Sequence, residues 1–127
     1  MNKKILIVDD DEIYNFICKE TIKRISGSNN IDDFTSSTDA LEFLNKINEP
    51  EKMPDIILID INMPVLDGWG FIEELKKNNN FSNIKTKIFI QSSSVYVKDT
   101  QKANDHEMVS GFITKPLTIE QVQMIYN

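Results

Sequence analysis

The sequence predicts an α/β domain in which a parallel five-stranded sheet lies between two layers of helices. Three observations carry that expectation. Two short apolar runs, Ile5-Leu6-Ile7-Val8 and Ile56-Ile57-Leu58-Ile59, show no alternation with polar residues, as befits central parallel strands covered on both faces. Strand-like runs and helix-periodic stretches alternate five times along the chain, and strands so separated pair in parallel through right-handed crossovers. With 127 residues, the chain can bury a core without disulfides or structural metal, so one domain spanning 1–127 is expected.

The elements follow in order. After the first strand, 5–8, the residues Ile13, Phe16, Ile17, Thr21 and Ile25 recur at helical spacing and define the face expected to pack inward. Gly27 is a fitting stop, because glycine accepts the left-handed conformation that ends helices. Cys18 is the only cysteine; it excludes a disulfide framework and a thiolate zinc site, and is expected to pack as a small hydrophobe. Residues 31–34 form a weaker second strand. Ala40, Leu41, Leu44 and Ile47 make the face of a second helix, with Thr38 or Asp39 as N-cap and Pro50 beyond its end.

Past the third strand, 56–59, Asp67-Gly68 opens a helix on Phe71, Ile72 and Leu75. An Asn-rich loop, 78–83, leads to a fourth strand at 88–90. The stretch 97–106 reads as a weakly amphipathic helix and 111–114 as a fifth strand. Ile119, Val122 and Ile125 make a final short helix, since only eleven residues follow Pro116.

Charge narrows the partners. Twenty acidic against 14 basic residues leave a net charge of −6 with no Lys/Arg cluster, which argues against nucleic-acid binding. The apolar stretch near the N-terminus is too short for a signal peptide, and no stretch is long enough to span a membrane. A cytoplasmic location is the expectation.

In parallel α/β sheets, polar groups needed for chemistry collect just beyond the carboxyl ends of the strands. Those ends carry Asp9-Asp10, Asp60, Ser92 and Lys115. Carboxylates crowded at a strand end either take up protons or find a cation. Oxygen-only donors, with neither histidine nor cysteine nearby, suit Mg2+ or Mn2+. Asp10 and Asp60 are the expected direct ligands, with Asp9 acting through water. Asp11 begins the following helix, where an acid suits the positive end of the dipole.

The segments "VDDDE", "LIDINMPVLDG", "QSSS" and "GFITKP", in this order and spacing, resemble the receiver domain of two-component response regulators, the CheY-like family. The resemblance covers essentially the whole chain and implies a flavodoxin-like fold with strand order 2-1-3-4-5. It implies that Asp60 is the phosphoacceptor, served by a histidine kinase, a phosphotransfer protein or a small phosphodonor. Asp9 and Asp10 match the acidic pair, and the backbone carbonyl of Asn62 completes the metal's protein ligands. Ser92 corresponds to the hydroxyl that reads the phosphoryl group, Lys115 to the lysine of the Lys-Pro motif, and Phe112 to the aromatic switch residue. The readout implied is a change at the surface of the fourth helix, fifth strand and fifth helix, presented to a downstream protein or output domain. Phe112 lacks the hydroxyl of the commoner tyrosine, so an output contact through that group is absent.

Three other functions fit the residues less well. A Mg2+-dependent phosphohydrolase with an aspartyl-phosphate intermediate would need a general acid where Asn62 stands. A receiver that binds partners without phosphorylation is disfavoured by the complete set of acids, hydroxyl and lysine. Flavin binding in the same fold would need a phosphate cradle after the first strand, where this chain has acids instead.

Overall fold

A computed structural model describes residues 3–82, 85–94 and 96–127; Asn83, at the end of the Asn-rich stretch, lies outside them. The strands are β1 (Ile5–Val8), β2 (Ile31–Phe34), β3 (Ile56–Asp60), β4 (Lys87–Ser92) and β5 (Val109–Thr114). The helices are α1 (Glu12–Ser26), α2 (Ser37–Asn45), α3 (Gly68–Leu75), α4 (Val97–Asp105) and α5 (Ile119–Tyr126), with single helical turns at Pro50–Lys52 and Asn79–Ser82. All strand pairs are parallel, in the order β2-β1-β3-β4-β5, as expected.

Strand side chains alternate between the two faces, and the core divides accordingly. Leu6, Val8, Ile57, Ile59, Ile88 and Ile90 pack with Ala40, Leu44, Phe71, Ile72 and Leu75 of α2 and α3. Ile5, Ile7, Ile56, Leu58, Phe89 and Ile113 pack with Cys18 and Ile22 of α1 and with Val122 and Ile125 of α5. Cys18 is buried as expected, and burial pushes its thiol up to about 12, out of the reactive range.

The face of α1 follows the expectation only in its second half, where Thr21 and Ile25 are half-buried and Ile25 packs on the core. Ile13, Phe16 and Ile17 are 72%, 62% and 51% exposed, whereas Asn15, Cys18 and Ile22 are buried. Two interleaved stripes satisfy the helical period in the first half of the helix, and there the apolar one, Ile13, Phe16 and Ile17, faces outward. The inward stripe is held by tertiary hydrogen bonds: Asn15 Nδ2 donates to the Asp9 carbonyl at 2.9 Å, and Lys19 Nζ to Asp33 Oδ1 at 2.8 Å. Gly27 ends the helix at φ 75°, its N–H donating to the Lys23 carbonyl. The N-cap of α2 is Ser36 rather than Thr38 or Asp39, because the Ser36 hydroxyl accepts the Asp39 N–H. Ile119 also faces outward, leaving Val122 and Ile125 to anchor α5. A capping box between Thr118 and Gln121 starts that helix.

Candidate functional site

Asp9 continues the side-chain alternation of Ile5 and Ile7, Asp60 that of Ile56 and Leu58, and Lys115 that of Ile113. Side-chain parity therefore aims all three toward the α1 and α5 layer at one sheet edge. Asp11 caps α1, its Oδ1 accepting the N–H groups of Ile13 and Tyr14, as an acid at that position should. Asp10, next to it, is exposed at the mouth, while Asp9 and Asp60 are buried.

The three carboxylates of Asp9, Asp10 and Asp60 offer oxygens that all lie within 4.8 Å of one another. The ammonium of Lys115 stands 2.5 Å from Asp9 Oδ2 and 3.4 Å from Asp60 Oδ2. The second oxygens of Asp9 and Asp60 meet backbone donors: Asp11 N–H donates to Asp9 Oδ1 at 2.9 Å, and Asn62 N–H to Asp60 Oδ1 at 3.4 Å. Lys115 is set in place by its own backbone N–H, which donates to the Ser92 carbonyl at 2.9 Å. The peptide bond to Pro116 is cis.

Electrostatics here are under-compensated. Burial raises the pKa of Asp9, and the hydrogen bonds from Lys115 and Asp11 recover only part of that. Asp60 is raised by burial and then by the Asp9 charge, against the smaller pull of Lys115. Burial would lower the Lys115 pKa, yet its hydrogen bond to Asp9 and the charges of Asp9 and Asp60 leave it raised. These shifts agree once the charges are counted: one ammonium gains from several acids, while each acid has only a share of one ammonium. The donor set is hard oxygen throughout and short of positive charge, which fits a hard dication.

Ser92, at the end of β4, is buried, and its Oγ accepts the Ser94 N–H at 3.2 Å. Phe112 pairs with Ile90 and leans half-buried on the α2 and α3 side of the core, away from the acids. Asn62 exposes its side chain. The loop after β3 is tight: a Cβ on Gly68 would stand 2.6 Å from the Asp60 carbonyl oxygen, and Val65 takes φ 69°.

Two side chains that touch this cluster were not candidates from sequence. Gln91 is fully buried on β4, and Tyr14 lies on α1 beside Lys115. The signal for Gln91 is an amide inside an otherwise apolar strand, whereas Tyr14 is masked by its apolar neighbours Ile13, Phe16 and Ile17 on α1.

A family model described as the response regulator receiver domain matches residues 5–127. The chain is 29% identical over 121 residues to the sensor histidine kinase CheAY of Helicobacter pylori, covering 95% of this chain and 14% of that protein. It is 33% identical over 111 residues to hybrid signal transduction histidine kinase D of Dictyostelium discoideum, covering 86% of this chain and 7% of that one. The chain thus spans a small part of the length of these curated relatives. A crystal structure of a two-component response regulator from Cytophaga hutchinsonii matches with TM-score 0.91 and 32% identity, over 100% of this chain and 96% of that chain.

Proposed function

The chain belongs to the response regulator receiver domain family and is a phosphoacceptor signalling module; on that premise we propose that Asp60 is the acceptor and that a single receiver domain spans 1–127. The observation that carries the assignment is the Lys115 ammonium 3.4 Å from Asp60 Oδ2, at the end of the central strand β3 and inside a cluster of acids. A carboxylate oxygen of Asp60 attacks the phosphorus of a donor such as acetyl phosphate. The bond from phosphorus to the acyl oxygen breaks, acetate leaves with that electron pair, and an acyl phosphate remains on Asp60.

The obstacle is charge, since an anion must approach a phosphoryl dianion within a cluster that is already acidic. Lys115 lies where it would meet a phosphoryl oxygen and offset part of that repulsion. Asp9, Asp10, Asp60 and the Asn62 carbonyl would hold Mg2+ or Mn2+, which when bound supplies charge neutralisation on the phosphoryl oxygens. Beyond its own phosphorylation and dephosphorylation, the chain catalyses nothing in this reading; a hydrolase would need a proton donor where the Asn62 amide stands.

Two apolar surfaces suit the partners. Ile13, Phe16 and Ile17 stand exposed on α1 within two turns of Asp10, where a histidine kinase or phosphotransfer protein delivering a phosphoryl group to buried Asp60 must dock. Tyr96 and Val97 are exposed at the start of α4, on the α4-β5-α5 surface that a downstream protein or output domain would read. In the phosphorylated state the Ser92 hydroxyl leaves the Ser94 N–H for the phosphoryl group, and Phe112 turns inward into the space released. With a cytoplasmic kinase as donor, the module works in the cytoplasm; no helix among the described residues is long and apolar enough to cross a membrane.

Intact mass after acetyl phosphate and Mg2+ tests the assignment. Wild type gains one phosphoryl mass and Asp60→Asn gains none; the same gain on both proteins would place the acceptor elsewhere.

A further inference from the structure

Gln91 is an expensive residue where it sits. It occupies the core of the sheet between Ile90 and Ser92, pairs in register with Asp60 on one side and Ile113 on the other, and is fully buried. A buried primary amide must find partners for its donors and acceptor or lose the free energy of desolvation. It finds two, one in the acid cluster and one beside it. Gln91 Nε2 lies 3.4 Å from Asp9 Oδ2, and Gln91 Oε1 lies 3.0 Å from the Tyr14 hydroxyl.

The chemistry fixes the direction of these bonds. An ionised Asp9 paired with Lys115 can only accept, so the amide nitrogen must face it. The amide oxygen then faces Tyr14, whose hydroxyl must donate. Tyr14 meets the cluster a second time, because its ring lies under the Lys115 ammonium, 4.6 Å from the ring centroid, at cation–π distance. Asp9 Oδ2 thus takes two donors, one charged, the other neutral and held in the sheet. Tyr14 touches both of these donors.

We propose that Gln91 and Tyr14 are a positioning pair that shares Asp9 Oδ2 with Lys115 and so governs the release of the Lys115 ammonium from Asp9 toward a phosphoryl group on Asp60. This rests on the reading of Asp60 as acceptor. Lys115 stands closer to Asp9 than to Asp60, so serving the acceptor means loosening its contact with Asp9. The Gln91 N–H remains on the oxygen that the ammonium leaves, and the Tyr14 ring keeps one face of the cation covered while it moves. Without the amide, Asp9 Oδ2 depends on Lys115 alone and holds it more tightly, while Oδ1 keeps the Asp11 N–H.

The test uses Gln91→Met, which keeps the volume and removes the donor, and Tyr14→Phe, which keeps the ring and removes the hydroxyl. Labelling by acetyl phosphate at saturating Mg2+ is followed together with the Lys115 side-chain ammonium signal in 15N-lysine NMR spectra of the unmodified proteins. Gln91→Met slows the maximal labelling rate about tenfold, on the scale of one hydrogen bond to a charged group, and moves the Lys115 signal. Tyr14→Phe produces a smaller change in the same direction and adds nothing in the Gln91→Met background. Fully additive effects, or wild-type rate and Lys115 signal in Gln91→Met, would overturn the proposal. If wild type itself failed to take a phosphoryl group, the acceptor assignment would fall, while the NMR signal would still report whether the pair positions Lys115.

Discussion

Replacing Lys115 with methionine isolates the charge balance on which the site depends. The side chain is only 14% exposed, so its ion pairs are weakly screened by water. Its ammonium is shared between Asp9 at 2.5 Å and Asp60 at 3.4 Å. Attraction across the longer distance alone is about 5 kcal/mol at an effective dielectric constant of about 20. Part of that is offset by the cost of burying the ammonium, and removing one member of a buried pair costs about 3–5 kcal/mol in practice. For Lys115→Met a loss of about 3 kcal/mol is expected near neutral pH without metal, because the acids escape part of the penalty by taking up a proton.

That escape gives the loss a defined pH dependence. Both acids already have folded-state pKa values above the ordinary 3.8, and removing the cation raises them further. Between 3.8 and the raised values the folded protein binds more protons than the unfolded chain, so stability falls as pH rises through that window and levels off above it. The variant therefore approaches wild type in acid and falls furthest below it at neutral pH. Urea unfolding followed by far-UV circular dichroism, in EDTA and in Mg2+ at both pH values, measures this. Added Mg2+ restores more stability to the variant than it adds to wild type. A variant as stable as wild type at neutral pH in EDTA would refute the view that Lys115 compensates buried negative charge.

Three further outcomes follow from the geometry. Gly68→Ala puts a methyl 2.6 Å from the Asp60 carbonyl oxygen; the loop must shift, and thermal unfolding should show a loss of roughly 2 kcal/mol together with slower labelling by acetyl phosphate. Val65→Gly acts the other way: Val65 is 97% exposed at φ 69°, so relieving the strain of a β-branched residue there should stabilise by about 1 kcal/mol in the same assay. On α1, Phe16→Ser and Ile17→Ser should each change stability by no more than about 0.5 kcal/mol, whereas Ile22→Ala should cost about 2–4 kcal/mol. Those two serine variants should still accept phosphate from acetyl phosphate yet lose rate with a protein donor, and an unchanged protein-donor rate would remove α1 from the docking surface.

Much of this protein is written in short-range patterns. The runs 5–8 and 56–59 announce strands buried on both faces, because only such strands dispense with polar alternation. Asp9, Asp10, Asp60, Ser92 and Lys115 could be named from sequence because parallel topology delivers every strand end to one edge. What no linear pattern contained was the choice between the two stripes of α1. Both satisfy the helical period, and the decision fell to Asn15 bonding the Asp9 carbonyl and to Lys19 reaching Asp33, partners on other elements. The tie of Gln91 to Asp9, across 82 positions, likewise exists only once β1 and β4 flank β3 in the sheet. Local periodicity reports which residues prefer to avoid water; which polar atoms satisfy one another is settled by three-dimensional distance.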